Sequence, residues 1–157
     1  MNNPLESLIQ EIRRSRSEPA KLKRLIKKYD EEFGPKAENA TLKVIADSTR
    51  QAWAEIAEDH GDTSIEGILD TLWKSFEQAG GEFTIERFDE GVQIHCTKCP
   101  MADTYKEIGK QDHGVIFHCN TDPHIVEGFN SKIDFTITKR LMSGDDFCNH
   151  RYTTREE

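Results

Sequence analysis

Hydrophobic residues recur at helical spacing through the first half of the chain. From Leu5 to Trp73 the apolar positions follow one another at intervals of three or four residues, which is the period of one helix face. The stripes are interrupted where proline or glycine ends a helix, namely at Ser17-Glu18-Pro19, Phe33-Gly34-Pro35, Gly61 and Gly80-Gly81. This pattern predicts a series of helices before residue 80.

The period of the pattern changes to two after Gly81, which is the period of a β-strand. Apolar and polar residues alternate through 83–87 and again through 92–96, and Asp89-Glu90-Gly91 can turn the chain between them. This arrangement predicts a β-hairpin. Further alternation predicts one strand around Ile133–Ile137 and a last strand at Asp146–Tyr152.

Shorter segments between these strands have the start signals of helices. One begins at Cys99-Pro100 and another at Asp122-Pro123, while the apolar run Val115–Cys119 fits either a strand or a helix. Helices followed by an antiparallel sheet with short inserted helices indicate an α+β fold, with the N-terminal helices packed on the sheet. We expect a single compact domain that consists of an N-terminal helical region, 1–62, and an α+β core, 63–152.

Charge and composition disfavour several classes of partner. The net charge is −8, and the basic run at residues 21–28 is interleaved with apolar residues, so we expect neither a nucleic-acid partner nor attachment to an anionic membrane. No stretch approaches the roughly 20 apolar residues of a membrane span, and the N-terminus does not resemble a signal peptide. We therefore expect a cytoplasmic protein. The apolar stripes before residue 60 exceed what one small sheet can cover, which makes a homodimer plausible.

The side chains that can carry chemistry are concentrated in the second half. Five of the six histidines follow residue 94, and so do all four cysteines, which are Cys96, Cys99, Cys119 and Cys148. Cys96 and Cys99 form a single C-x-x-C motif without a second pair at the spacing of a zinc ribbon. Cys96 fits a core position of the sheet. Cys99 stands at the start of a helix, where the helix dipole should lower the pKa of a thiol.

Two further clusters combine cysteine with aspartate or histidine. Cys119 ends an apolar run and Asp122 begins a helix three residues later, so a thiolate and a carboxylate can meet there, although Asp122 also fits an ordinary helix cap. On the predicted last strand, Asp146, Cys148, His150 and Tyr152 share one face. A packed cysteine and a hydrogen-bonded core histidine would fit that face equally well. The two clusters together have the size of one site.

This set of side chains suits two kinds of hydrolytic chemistry. As metal ligands, Cys119, Cys148, Asp122 and His150 would hold zinc or another divalent ion and activate a bound water. Alternatively, Cys119 would be a catalytic nucleophile, with Asp122 to orient it and His150 as a base. Either arrangement supports hydrolysis of a C=N or amide bond. A metal site that only stabilises the fold is a third interpretation, and no nucleotide cofactor is expected.

Five segments of the sequence resemble the L-2-amino-thiazoline-4-carboxylic acid hydrolase family. They are Cys99-Pro100, Cys119-Asn-Thr-Asp122, Glu127-Gly128-Phe129-Asn130, Phe135-Thr-Ile-Thr-Lys139 and Gly144–Tyr152. The similarity covers roughly residues 65–152. It implies a hydrolase of carbon–nitrogen bonds other than peptide bonds, which opens a cyclic amidine in a small-molecule substrate. Cys99, Cys119, Asp122 and Cys148 match the family pattern by position, and we expect Cys99 and Tyr152 to contact the substrate.

A second resemblance leads to a different class of function. The order of helices followed by a sheet is similar to ligand-binding domains related to 4-vinyl reductases, which hold small hydrophobic molecules and some metal. Under this alternative the chain would be a non-enzymatic module that binds a small molecule or a metal. An apolar pocket without thiols in its lining would favour such a module.

Overall fold

The computed structural model describes residues 3–155, and its N-terminal part is helical, as the apolar stripes predict. Three long helices come first: α1 (Pro4–Arg14), α2 (Pro19–Glu32) and α3 (Glu38–His60), with a 3-10 turn at Gly34–Ala37 before α3. Helix α1 begins where the Asn3 side chain accepts a hydrogen bond from the Glu6 N–H at 2.8 Å.

The next predicted helix contains an irregular turn. Helix α4 (Ile65–Ile68) passes through a π-helical turn at Leu69–Trp73 into α5 (Lys74–Gln78). A π-helical turn widens a helix locally and is frequent near functional sites. Trp73 and Phe76 from this segment line the cavity described below.

Four strands form one antiparallel sheet, which confirms the predicted α+β class. They are β1 (Glu82–Phe88), β2 (Gly91–Lys98), β3 (Ile133–Thr136) and β4 (Arg151–Thr154), in the spatial order β1-β2-β4-β3. The hairpin of β1 and β2 is the one that the alternation predicts. The inner face of the sheet is buried, and its outer face is polar and more exposed.

The last predicted strand is wrong over its first part, because β4 begins only at Arg151. Before it, an isolated bridge joins Cys148 to Cys96 of β2, with backbone hydrogen bonds of 2.9 and 3.0 Å in the two directions. The His150 carbonyl accepts a further bond from the Ile94 N–H at 2.7 Å. The segment therefore stays beside β2. The side chain of Asn149, which lies within it, bonds to the loop at Thr138 and Lys139 and not to a strand.

The chain between β2 and β4 contains three short helices and two 3-10 turns. The helices are α6 (Pro100–Glu107), α7 (Gln111–Phe117) and α8 (Asp122–Phe129), and the turns are Cys119–Thr121 and Leu141–Ser143. The run Val115–Cys119, which fits a strand or a helix in the sequence, is thus helical, and Cys119 begins the 3-10 turn Cys119–Thr121.

Helix packing determines how the N-terminal helices meet the sheet. Helix α1 contacts α7, α2 contacts α6, and α3 contacts α8, so the inserted helices lie between them and much of the sheet. The approach of α8 to α3 requires Gly128, since a Cβ atom there would lie 2.4 Å from the Arg50 carbonyl oxygen. Among residues 3–155, none of the helices combines the length and the apolar character needed to cross a membrane.

Candidate active site

A cavity of ≈ 220 Å³ lies inside the fold, and all four cysteines line it. The lining comes from widely separated parts of the chain: α1, the π-helical turn, β2, the segment around α8, and the loop before β4. Cys119, Asp122, Cys148 and His150 are all in this lining. The two clusters that the sequence places far apart therefore share one cavity.

Asp122 and His150 are hydrogen-bonded to each other across this cavity. The His150 Nε2 and the Asp122 Oδ2 are 3.1 Å apart, and His150 is 8% exposed. Asp122 is the first residue of α8, and its carboxylate is hydrogen-bonded to His150, while the N-cap Thr121 makes no capping hydrogen bond with its side chain. Trp73 packs edge-on against the imidazole, with 4.8 Å between the ring centroids. The His150 imidazole is thus held by Asp122 through a hydrogen bond and by Trp73 through packing.

Cys148 is surrounded by groups that stabilise a thiolate. The Leu141 N–H donates a hydrogen bond to its Sγ at 3.2 Å. The neighbouring Cys96 side chain, together with the Leu141 N–H and the nearby His150, lowers the pKa of Cys148, although burial and the charge of Asp122 oppose the change. A lowered pKa increases the fraction of thiolate near neutral pH, and the thiolate is the nucleophilic form of cysteine.

The loop before Cys148 delivers the Leu141 N–H to the sulfur. The Asp145 carboxylate accepts a hydrogen bond from the Arg140 N–H at 2.8 Å, and Gly144 adopts φ +95°, a conformation that favours glycine. The Asn149 Oδ1 accepts a further bond from the Lys139 N–H at 2.7 Å. These contacts give a structural reason for glycine, aspartate and asparagine in this segment.

Cys119 and Cys99 differ from Cys148 in their ionisation. Burial, followed by the charge of Asp122, raises the pKa of Cys119, and burial likewise raises the pKa of Cys99. The expectation that the helix start lowers the pKa of Cys99 is therefore wrong, because the loss of solvation outweighs the helix dipole. Both side chains are protonated thiols near neutral pH.

Tyr152 lies behind the cavity wall and contacts a residue of the lining. Its side chain is 1% exposed, and its hydroxyl accepts a hydrogen bond from the Trp73 Nε1 at 3.1 Å. Trp73 lines the cavity, whereas Tyr152 is not among the described residues of the lining. Tyr152 therefore contacts the lining residue Trp73, and its contact with a substrate stays a prediction.

Comparison with known families supports the resemblance found in the sequence. The family model described as L-2-amino-thiazoline-4-carboxylic acid hydrolase matches residues 14–152. The chain belongs to this family. The match extends the recognised region from residue 65 back into α1. No curated protein matches the chain.

One solved structure is similar to the chain. It is the trafficking protein particle complex subunit 3 from Naegleria fowleri, described as covalently bound to palmitic acid. The two proteins are 15% identical, the similarity covers 97% of this chain and 95% of that chain, and the TM-score is 0.44. A likeness at that level carries no argument about the function of this family member.

The predicted metal site is not assembled in this member of the L-2-amino-thiazoline-4-carboxylic acid hydrolase family. Within the part of the chain that the structure describes, no group of three or more His, Cys, Asp or Glu side chains is arranged to hold a metal ion. His150 uses its Nε2 for Asp122, and the Cys148 sulfur accepts the Leu141 N–H. Because these residues do not fit zinc or another divalent ion as a set, we derive no catalytic step through a metal.

The structure adds lining residues that the sequence analysis missed. Arg13, Arg16 and Arg140 line the cavity, together with His118. The His118 Nε2 is 2.9 Å from the Tyr105 hydroxyl, and burial, together with the charges of the first two arginines, lowers the pKa of His118 to about 3. The sequence did contain one sign of Arg13. It follows Leu5 and Ile9 at intervals of four residues, which places a cation on the buried face of α1.

Proposed function

We propose that this family member is a hydrolase that opens a small cyclic amidine, with Cys148 as the nucleophile and the Asp122–His150 pair as the proton-transfer group. One observation carries the proposal. A cysteine that is set up as a thiolate lies in the same cavity as a hydrogen-bonded carboxylate–imidazole pair. Nucleophile, base and orienting acid are the parts that cysteine-dependent hydrolysis requires.

The first half of the proposed reaction forms a covalent adduct. The Cys148 sulfur bonds to the amidine carbon, and the electron pair of the C=N bond moves to nitrogen, which takes a proton from His150. The adduct then re-forms C=N and breaks the bond from carbon to a ring heteroatom, which leaves with the electron pair and with a proton from the nitrogen. Asp122 stabilises the protonated imidazole that begins this step.

The second half releases the product by hydrolysis. Water loses a proton to His150 and attacks the carbon that is bonded to Cys148. The bond between carbon and sulfur breaks and returns the thiolate, while the hydroxyl proton moves to the amidine nitrogen and leaves a carbonyl group. The net change is the addition of one water, and His150 is again protonated. General acid–base assistance of this kind typically contributes about 10²- to 10⁴-fold to a rate.

Cys119 is the other candidate nucleophile, and its surroundings favour it less. Its pKa is raised by burial and by the negative charge of Asp122, whereas that of Cys148 is lowered. Asp122 as a direct partner of Cys119 would oppose the thiolate. We therefore assign Cys119 to the wall of the site, next to the bound ring.

The alternative of a non-enzymatic binding module has one observation in its favour. Much of the lining is apolar and aromatic, including Leu72, Trp73 and Phe76, which would suit a small ring. However, the four thiols and the Asp122–His150 pair share the same lining, which an inert apolar pocket does not need. The hydrolase proposal accounts for both sets of residues.

The test is turnover of L-2-amino-thiazoline-4-carboxylic acid, followed by mass spectrometry as the gain of one water. We expect the wild-type chain to open the ring and Cys148→Ser to lose at least about 10³-fold in kcat. Cys119→Ser should retain far more activity than Cys148→Ser. Tight binding of cyclic amidines without any ring opening would instead support the binding module.

A further inference from the structure

The charge of the cavity lining is unbalanced. Three arginines contribute to it, Arg13 and Arg16 from the region of α1 and Arg140 from the loop before β4. Among the described lining residues, Asp122 is the one carboxylate, and it is already hydrogen-bonded to His150. The proposed reaction uses none of the three arginines.

Two of these guanidinium groups have buried donors without a partner. Within residues 3–155, the Arg13 Nη1 and the Arg140 Nε are buried and form no hydrogen bond. A buried donor on a charged group is costly to leave unpaired, so native structures supply an acceptor. Burial and the neighbouring charge of Arg16 lower the pKa of Arg13, because both disfavour the charged guanidinium.

Several immediate neighbours of the two arginines carry no negative charge. Near Arg13, burial keeps His118 uncharged by lowering its pKa, and burial raises the pKa of the Tyr105 phenol, so that it remains protonated. Near Arg140, the thiol of Cys119 also remains protonated. The Cys148 sulfur shares the lining and accepts the Leu141 N–H, but no side chain of residues 3–155 bonds to the Arg13 Nη1 or the Arg140 Nε. A ligand in the cavity can supply an acceptor for both arginines.

Arg140 is also placed close to the reactive sulfur. It precedes Leu141, whose N–H holds the Cys148 sulfur, and its positive charge acts on the Cys119 thiol. An anionic group bound by Arg140 would fix the rest of a small ligand within reach of Cys148. The cavity of ≈ 220 Å³ has room for a single small ring and its substituents.

We infer that Arg13 and Arg140 form an anion subsite that binds the carboxylate of the substrate and selects negatively charged ring amidines over neutral ones. The planar guanidinium fork matches the two oxygens of a carboxylate, which would satisfy both unpaired donors. The inference rests on the proposed function for the identity of the reacting ring, but carboxylate binding can be measured without turnover.

The experiment measures binding by calorimetry with two probes, 2-aminothiazole-4-carboxylate and its carboxamide. We expect the wild-type chain to bind the carboxylate on the order of 10- to 100-fold more tightly. Arg13→Met and Arg140→Met should each lose most of this preference, while Lys at either position should retain part of it. Arg14→Met is the matched control, because Arg14 is an exposed arginine of α1 outside this lining and the preference should be unchanged.

Several outcomes would overturn the inference. Equal binding of the two probes by the wild-type chain would do so, as would a full carboxylate preference in both methionine variants. If one methionine variant fails to fold by circular dichroism, the wild-type preference and the other variant still decide. Charge-selective binding without ring opening would refute the hydrolase and leave the anion subsite intact, whereas ring opening with no effect of either arginine would do the reverse.

Discussion

His150 and Asp122 lie 28 positions apart in the sequence, and their side chains are joined by a hydrogen bond of 3.1 Å between Nε2 and Oδ2. The bond ties the segment before β4 to the first residue of α8. It also assigns the roles of the two groups, since a carboxylate orients an imidazole and stabilises its protonated form. The site therefore depends on a contact between two elements that are distant from each other along the chain.

Asp122→Asn tests the electrostatic part of this contact. The amide can keep a hydrogen bond to His150 but cannot stabilise the imidazolium, so we expect kcat for ring opening to fall by about 100-fold or more. Steady-state kinetics measures the change, and thermal unfolding should show a folded protein. Full activity of this variant would mean that the pair does not transfer protons in the reaction.

The ionisation of Cys148 predicts a distinct pH dependence. Because its pKa is lowered, the thiolate of Cys148 forms at a lower pH than that of an ordinary cysteine. Alkylation of Cys148 by iodoacetamide should therefore rise with pH along a curve that lies at lower pH than the curve of a free thiol, and level off below the ordinary pKa of cysteine. Peptide mass spectrometry can follow each cysteine separately. Cys99 and Cys119, whose pKa values are raised, should react slowly over the same range.

Cys96→Ala is the matched variant for that experiment. The Cys96 side chain makes the largest contribution to the lowered pKa of Cys148. Its removal should move the alkylation profile of Cys148 to higher pH. An unchanged profile would show that the Leu141 N–H and His150 suffice, and a wild-type profile like that of an ordinary thiol would contradict the assignment of Cys148.

His118 should make the fold sensitive to acid. Its pKa in the folded state is about 3, below the ordinary 6.5, so the unfolded chain binds the proton more readily. Stability is therefore lost as the pH falls below about 6.5, by up to about 1.4 kcal/mol per pH unit. Between pH 7 and pH 5 this residue alone should reduce the free energy of unfolding by about 2 kcal/mol.

Urea unfolding of His118→Gln at those two pH values checks this prediction. Glutamine does not titrate, so the variant should lack the part of the acid dependence that His118 supplies. Carboxylates elsewhere affect both proteins equally, and the comparison removes them. Identical pH dependence of the two proteins would show that His118 accepts a proton in the folded state as easily as in the unfolded one.

The regular elements were predictable because they follow from periodicity. The helical stripes and the hairpin at 82–98 appear in the structure close to their predicted bounds. The segment before β4 was not predictable in the same way. Cys148, His150 and Tyr152 do alternate towards the buried side, but the polar residues among them bond to a loop that only the tertiary structure provides.

The candidate site was predictable in its members more than in their roles. Residue type and spacing identified Cys119, Asp122, Cys148 and His150, which share the cavity. Which thiol ionises depends on burial and on the Leu141 N–H and Cys96, none of which can be read from spacing. Arg13 could not be identified from the sequence, because charged residues on helices are usually solvated and its burial depends on packing against distant elements.

Trapping of the covalent intermediate tests the central claim most directly. The wild-type chain is mixed with L-2-amino-thiazoline-4-carboxylic acid, quenched with acid within a single turnover, and digested for peptide mass spectrometry. We predict an adduct on the peptide that contains Cys148, absent from Cys148→Ser and present in Cys119→Ser. An adduct on Cys119, or ring opening by Cys148→Ser at the wild-type rate, would contradict the account.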